Sequence, residues 1–321
     1  MEIYHMYVWL PASAFRFSAT LRVATFSQCE ILDQPVETLL FPQLRQLAFD
    51  SVRISDVSLH SMIAQCPVLE CLLLDGRISF KCLRINSPTL ISIGMSYGEL
   101  VIEDAPLLER LLQLLEPHNW IHISVISAPK LETLGCFAGN GASPKLVFGT
   151  TVIRDLRVAS ITTVVCSIKI LAIGIYNLSI DLVINLLRCF PCMEKLYIQS
   201  RVSVDKNLWR RKHRILLRSL DIRLKTIVLK NYRGIKSQVN FSTFFVLNAK
   251  RLELMRFEGG INNDDEIYIA EQRRLLQLDK RASGGAQFYF TTGRGCQHSY
   301  NLTHVRHVRD LSITDPFECT C

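Results

Sequence analysis

Residues 67–74 read Pro67-Val68-Leu69-Glu70-Cys71-Leu72-Leu73-Leu74 and carry the pattern that decides the fold. The same phrase, Pro-x-Leu-Glu-x-Leu or a near relative, recurs along the chain. Its further copies occupy residues 88–93, 106–111, 129–134, 191–198 and 250–257, and residues 41–49 and 224–229 share its hydrophobic skeleton. Measured from proline to proline, the first four copies are 18 to 23 residues apart. This regular spacing indicates one structural unit that is repeated.

A period near 20 residues with leucines at these positions is typical of a leucine-rich repeat. Each phrase is predicted to form a short strand, in which alternate side chains point to the same side. We therefore expect Leu72 and Leu74 in the core, and Cys71, Leu73 and Asp75 on the outward side. Stacked copies predict an α/β leucine-rich-repeat solenoid, a curved parallel sheet with irregular helices on its convex side. The alternative is another α/β domain in which the leucine spacing arose by chance.

Helical periodicity separates some of the strand phrases. Ser55 can cap a helix whose inward residues are Leu59, Met62 and Ile63. Ser179 begins a similar segment, and its inward residues are Ile180, Val183, Ile184 and Leu187. These patterns predict strand–helix–strand units at residues 41–76, 158–200 and 224–259. Residues 80–150 are predicted to form shorter, strand-rich units with little room for helices.

The C-terminal residues follow another pattern. Residues 262–266 offer capping and acidic side chains for the start of a helix. Basic residues, the last of which is Arg281, lie toward its other end and match the helix dipole. Residues 283–285 are predicted to end the helix. Residues 287–290 and 308–313 are predicted strands, so this part is interpreted as an α+β cap. The predicted domains are a truncated or irregular N-terminal segment (1–19), the repeat solenoid (20–223), a final repeat unit (224–261) and the cap (262–321).

Composition narrows the class of protein. The chain has 321 residues, 49% hydrophobic and 21% charged, with a formal net charge of +8. This composition supports a large core and excludes a disordered chain. Eleven scattered cysteines without a secretory signal at the N-terminus indicate the reducing cytoplasm or nucleus. The apolar stretch 161–176 is shorter than the ~20 residues of a membrane span and contains Lys169, so no membrane partner is predicted.

Strand alternation also predicts which residues face a bound protein. The candidate partner-binding residues are those on the outward side of the predicted strands: Gln46, Ala48, Asp50, Leu73, Asp75, Lys195, Tyr197, Gln199, Thr226, Lys230, Arg256 and Glu258. Tyr197 and Arg256 are the first of these to mutate, because aromatic and arginine side chains dominate most protein interfaces.

Catalytic and metal-binding sites have characteristic sequence motifs. The sequence contains no Gly-rich phosphate loop, HExxH motif or Gly-x-Ser-x-Gly elbow, so neither an enzyme activity nor a cofactor or metal is predicted. Cys189 and Cys192 form a Cys-x-x-Cys without a second pair, and we expect Cys189 to pack in the core. His304, His307 and Asp310 are interpreted as a capped surface segment rather than as metal ligands.

One basic run, Arg210 to Arg214, follows Trp209. It is interpreted as a solvated loop between structured units. The alternatives are a nuclear-import signal and a nucleic-acid contact, which would give an affinity that falls steeply with salt.

Several phrases in combination resemble the plant F-box/LRR/FBD proteins. They are residues 52–56, 66–72, 224–234, 244–253, 281–283, 286–288 and 315–317, so the resemblance extends from about residue 20 to residue 317. The resemblance implies that residues 224–261 form an FBD-like unit. In that family the F-box helices dock on the Skp-type adaptor of a cullin–RING ubiquitin ligase, and the repeats hold the substrate.

The F-box pattern itself, Leu-Pro-x-x-Leu-Leu followed by a Ser-Lys-Arg-Trp segment, is not found in residues 1–41. Adaptor binding is therefore expected only if an F-box is supplied. The leading hypothesis is the substrate-recognition part of such a ligase receptor, with an unidentified protein as its partner. The alternative is a stand-alone repeat scaffold, or a competitor of a full-length relative, with no link to a ligase.

Overall fold

The structure is a computed structural model. It describes residues 8–33, 39–76, 78–114, 120–139, 144–160, 163–202, 207, 220–259, 265–292 and 302–318. Its internal contacts divide the chain into two compact units. Unit 1 comprises Met1–Leu131, Leu146–Gly149 and Val305–Pro316, and unit 2 comprises Glu132–Lys145, Thr150–His304 and Phe317–Cys321.

Unit 1 consists mainly of short strands. They are β1 (Val8–Trp9), β2 (Val23–Ser27), β3 (Cys29–Glu30), β4 (Gln46–Asp50), β5 (Cys71–Asp75), β6 (Cys82–Asn86), β7 (Ser92–Met95), β8 (Gly98–Asp104), β9 (Arg110–Gln113), β10 (Ile121–Val125) and, after β11 of unit 2, β12 (Lys145–Phe148). Strands β2, β4, β5, β7 and β9 form one parallel ladder in that order. Strands β6, β8 and β10 form a second parallel ladder, with β12 beside β10.

The register of the first ladder aligns the repeat phrases position by position. Leu47 is opposite Leu72, Leu72 opposite Ile93, and Ile93 opposite Leu111. All four side chains have no solvent exposure. Burial of an aliphatic side chain of this size stabilises a fold by about 1.5–3 kcal/mol. The aligned row is thus a shared hydrophobic core, as the alternation of the phrases predicted.

An α-helix lies between β4 and β5 of unit 1. Helix α1 (Asp56–Ala64) begins at Ser55, whose Oγ accepts a hydrogen bond from the Ser58 amide over 3.1 Å. Leu59 and Met62 are fully buried, and Ile63 is half-buried. Between residues 80 and 150 the described residues form strands and turns only, which confirms the predicted strand-rich units.

Unit 2 contains the longest of the parallel ladders. Its strands are β11 (Thr133–Gly139), β13 (Thr151–Arg154), β14 (Arg157–Ser160), β15 (Ile170–Asn177), β16 (Lys195–Val202), β17 (Thr226–Lys230), β18 (Leu254–Glu258) and β19 (Gln287–Thr291). Strands β11, β15, β16, β17, β18 and β19 pair in parallel in that order. Strands β13 and β14 form an antiparallel hairpin.

Within the described residues of unit 2, three α-helices follow strands of this ladder. Helix α2 (Ile180–Cys189) starts at Ser179, which caps it, and buries the four apolar residues that its periodicity predicted. Helix α3 (Lys236–Asn248) connects β17 to β18, and helix α4 (Glu266–Leu275) precedes β19. The predicted strand–helix–strand units around residues 180 and 240 are confirmed. Mostly parallel strands with few helices make this an α/β repeat fold.

The C-terminal residues depart from the prediction in two places. Helix α4 ends at Leu275, before residue 281, because Gln277 adopts a left-handed conformation with φ 55°. The predicted strand at 308–313 is wrong, since Val308–Ser312 form a 3-10 helix. The Asp310 carboxylate accepts hydrogen bonds from the Arg306 and His307 amides at 2.9 and 2.8 Å, and such local bonds favour a turn over a strand.

The predicted strand at 287–290 is present as β19, and it continues the repeat ladder. Its Phe288 lies opposite Met255, and its Phe290 lies opposite Phe257. The rings of Phe257 and Phe290 are stacked, with their centroids 4.8 Å apart. Strand β19 therefore extends the hydrophobic core of the preceding strands by one further step.

Candidate functional site

The outward side chains of unit 2 line up across four strands. Tyr197, Val228, Arg256 and Tyr289 occupy successive positions opposite one another on β16, β17, β18 and β19. The residues two positions before and after them form flanking rows on the same side. We call these three rows the front face of unit 2. The predicted partner-binding residues that this face brings together are Lys195, Tyr197, Gln199, Thr226, Lys230, Arg256 and Glu258.

Unit 1 has a corresponding surface. Ala48, Leu73, Gly94 and Leu112 lie opposite one another on β4, β5, β7 and β9, and with their flanking rows they define the front face of unit 1. The remaining predicted residues lie here: Gln46, Ala48, Asp50, Leu73 and Asp75. The structure thus assembles the twelve candidates into two groups, one in each unit.

None of the twelve candidate side chains is fully exposed. Five of them are buried: Ala48, Leu73, Tyr197, Gln199 and Lys230. The other seven are half-buried. Outward orientation on a strand therefore does not make these residues accessible, because other parts of the chain lie over both front faces.

The C-terminal 3-10 helix covers the front face of unit 1. Residues Val308–Ser312 pack against β4, β5 and β7. The Arg110 Nε donates hydrogen bonds to the Leu311 carbonyl at 3.0 Å and to Ser92 Oγ at 2.8 Å. Cys71 Sγ lies 3.7 Å from Ser312 Oγ. Leu311 is fully buried, so this segment is docked on the sheet.

The next residues of the chain cover part of the front face of unit 2. The ring of Phe317, which is 1% exposed, lies 5.4 Å from the ring of Tyr197. Glu318 reaches two basic side chains: its carboxylate is 3.3 Å from Arg256 Nη2 and 3.9 Å from Lys195 Nζ. Arg256 also contacts Glu258 on its own strand at 3.4 Å. Tyr289, at the end of the same row, remains 50% exposed.

Two of the predicted acidic residues serve turns at the ends of strands. Asp75 accepts hydrogen bonds from the Gly76 amide at 2.8 Å and from the Ser96 hydroxyl. Asp50 accepts from the Ser27 hydroxyl at 3.0 Å. Each carboxylate thus joins its own strand end to a neighbouring repeat.

The cysteines and histidines form no metal centre in the part of the chain that the structure describes, where no group of three potential ligands converges. Cys189 is fully buried, which confirms that it packs in the core. Burial raises the pKa of Cys66 to about 12 and that of Cys189 to about 11, so both remain neutral thiols. His307 caps the 3-10 helix in a reciprocal contact with Asp310, which confirms the capped segment.

Two expectations concern other parts of the chain. The basic run from residue 210 to residue 214, and Trp209 beside it, lie outside the described residues. Among the helices that the structure describes, none has the length and apolar character that a membrane crossing requires.

Comparison with protein families gives two matches. The family described as "FBD-associated F-box protein At5g56370, LRR repeats" matches residues 2–198, and the family described as "FBD" matches residues 216–257. Comparison with curated proteins and with solved structures gives no significant match. The first family covers more than half of the chain and includes the strands of the front face of unit 1, and the second includes β17 and most of β18. The chain therefore belongs to the family of the leucine-rich repeats of FBD-associated F-box proteins and also carries an FBD module.

Proposed function

We propose that this protein is the substrate-recognition part of a ubiquitin-ligase receptor, and that it holds a protein partner on its front faces. The supporting observation is the three-row surface of unit 2, where the parallel register places Tyr197, Arg256 and Tyr289 in one line. Repeats of this kind build extended binding surfaces from successive strands. The repeats are further proposed to curve into a solenoid, with the front faces on the concave side.

The rival proposal is a stand-alone repeat scaffold that competes with a full-length relative for the same partner. Both proposals require a protein-binding surface, and only the first requires contact with a cullin–RING ligase. Free cysteines on the front face of unit 1, such as Cys71, and in the core, such as Cys66 and Cys189, fit a reducing compartment, so the cytoplasm or nucleus is the proposed location.

A capture experiment tests the shared part of both proposals. The full chain, Arg256→Glu and a matched control, Arg154→Glu, are each used to capture proteins from cells. Arg154 lies exposed on the β13–β14 hairpin, so the control makes the same charge change away from the front face. We expect one set of partners to be retained by the wild type and the control and lost by Arg256→Glu. Equal recovery by all three would contradict binding at the front face.

The proteins that the full chain captures also distinguish between the two proposals. Recovery of a Skp-type adaptor with the full chain, at a constant ratio through two purification steps, supports the ligase receptor. Retention of the partner set without any adaptor supports the scaffold and rules out the ligase link for this chain.

A further inference from the structure

The C-terminal residues make contacts on the front face that resemble those of a bound peptide. Phe317 is an aromatic residue that is buried against Tyr197, and Glu318 is an acid directly after it. These two residues, which we call the tail, therefore supply one apolar anchor and one negative charge to the same surface. Aromatic anchors flanked by charged contacts are a common arrangement in protein interfaces.

The surface beneath Glu318 is complementary in charge. Arg256 and Lys195 both approach the Glu318 carboxylate, although Glu318 itself is exposed. Arg256 retains a carboxylate neighbour, Glu258, whether or not the tail is present. Contact with Glu318 is thus an additional interaction, one that another acidic group can replace.

The row of front-face residues extends beyond the tail. Tyr197 is buried beneath Phe317, whereas Tyr289 on β19 is half exposed in the same row. A segment longer than the tail could lie along the row from Tyr197 past Arg256 to Tyr289. It would replace the tail contacts and add the aromatic surface that the tail leaves open.

We propose that the front face of unit 2 recognises a protein segment in which an aromatic residue precedes an acidic one, and that residues 317–318 occupy this site until the partner displaces them. This inference rests on the proposed function, because it names the class of partner for that surface. The tethered tail competes at a high effective concentration, of order millimolar for a short flexible link. A free segment of the same chemistry therefore binds weakly unless the tail is released.

The test uses a fluorescent peptide with the sequence of residues 313–318, Ile-Thr-Asp-Pro-Phe-Glu, and measures its anisotropy with the full-length chain. We expect the peptide to bind Phe317→Ala at least about tenfold more tightly than it binds the wild type, since that substitution removes the anchor of the tail. A control peptide with alanine in place of its phenylalanine should not bind. Adding Arg256→Glu to Phe317→Ala should abolish binding of the unmodified peptide.

Phe317 is buried, so a second variant guards against loss of folding. Glu318→Lys changes an exposed residue and places a positive charge beside Arg256 and Lys195. We expect it to keep the wild-type circular dichroism, to increase hydrogen exchange at residues 314–318, and to raise peptide affinity severalfold.

Absence of peptide binding to both variants, with each of them folded, would overturn the proposed partner class. Peptide binding that survives Arg256→Glu would overturn the proposed site. The proposed function is judged separately by the capture experiment: partners lost with Arg256→Glu but no peptide binding would leave the front face as a binding surface for a different kind of segment.

Discussion

The ring of Phe317 lies against the ring of Tyr197, with centroids 5.4 Å apart and planes inclined by 51°. Both side chains are 1% exposed. Tyr197 is therefore part of the packed structure as well as part of the row of outward residues. The two roles have to be separated before any mutation of this row is interpreted as an effect on binding.

Substitution of each of the two tyrosines in this row should show which of them stabilises the folded protein. We expect Tyr197→Ala to lower the free energy of unfolding by about 3–5 kcal/mol, the range for removal of a buried aromatic side chain. Tyr289→Ala should change it by less than about 0.5 kcal/mol, because its side chain is half exposed. Urea unfolding measures both. Equal destabilisation by the two changes would show that Tyr197 is not packed beneath the tail.

The ion pair between Arg256 and Glu318 should contribute little to stability. The Arg256 side chain is 20% exposed and that of Glu318 is 45% exposed, with 3.3 Å between their charged atoms. A double-mutant cycle with alanine at both positions should give a coupling of about 0.2–1 kcal/mol at low salt, and less at high salt. A coupling of zero at low salt would show that Glu318 does not contact Arg256 in solution.

A substitution at Gly94 should loosen the 3-10 helix, residues 308–312, from the front face of unit 1. A Cβ atom at this position would lie 2.9 Å from Leu73 Cδ1 and 3.0 Å from Leu311 Cδ2. Gly94→Val should therefore cost about 1–3 kcal/mol through overpacking and speed hydrogen exchange at residues 308–312. Gly284→Val is the control, since nothing lies within 4 Å of its added Cβ. Unchanged exchange in Gly94→Val would contradict the docking of Leu311.

A buried hydrogen bond joins helix α4 to the loop after β17. The Tyr232 hydroxyl donates to Gln272 Oε1 at 2.7 Å, and both side chains are buried. Tyr232→Phe should lower the free energy of unfolding by about 1–3 kcal/mol, because it leaves a buried amide oxygen without this donor. The control is the double variant Tyr232→Phe with Gln272→Leu, which removes both partners and should recover part of the loss.

Tyr232 also predicts a dependence of stability on alkaline pH. Burial raises the pKa of its phenol above the ordinary value. The stability that results is fully present below the pKa of the unfolded chain, about 10, and is lost as the pH rises above it. Ultraviolet titration should show this phenolate forming only when the protein unfolds. Reversible ionisation in the folded state near pH 10 would contradict its burial.

Thiol reactivity tests the positions of the cysteines. Cys66 and Cys189 are buried, and burial raises their pKa values to about 12 and about 11. The pKa of Cys166 is also raised, by desolvation and by Cys192 beside it, but its side chain is exposed to the reagent. Because the thiolate is the reactive form, iodoacetamide at pH 8 should modify Cys166 first and leave the other two unmodified until urea is added. Peptide mass spectrometry measures the order. Rapid labelling of Cys189 in the folded protein would show that it does not pack in the core.

The strands and the faces of the strands could be predicted from the sequence because both depend on local patterns. Alternation within a phrase such as residues 71–75 separates Leu72 and Leu74 from their neighbours, and parallel stacking repeats that separation in each copy. The caps at Ser55 and Ser179 were also predictable, since a hydroxyl before an apolar helical pattern is a local signal.

The covering of the front faces could not be predicted in this way. Leu311 meets Gly94, and Phe317 meets Tyr197, across more than one hundred residues of sequence. Val305, Val308 and Leu311 recur at every third residue, but three residues are too few to mark a docked segment. The Asp310 hydrogen bonds turn an apparent strand into a 3-10 helix. The available hint was this short apolar pattern together with Ile313 and Phe317.

The β13–β14 hairpin was missed for a related reason. Its turn places Asp155 and Leu156 at φ 50° and 60°, a conformation that Asn-Gly or Asp-Gly pairs usually signal. A leucine at such a position gives no such signal. The interpretation of residue 158 as the start of a strand–helix–strand unit therefore overlooked an antiparallel pair.

The most direct test of binding at the front face is site-specific photo-cross-linking. A photoreactive phenylalanine is placed at position 289, on the exposed end of the front-face row, or at position 267, an 81% exposed residue of helix α4. Each variant is irradiated with a partner identified by the capture experiment. We expect a covalent adduct from position 289 and none from position 267. An adduct from position 267 alone would contradict the claim that the protein holds its partner on the front face.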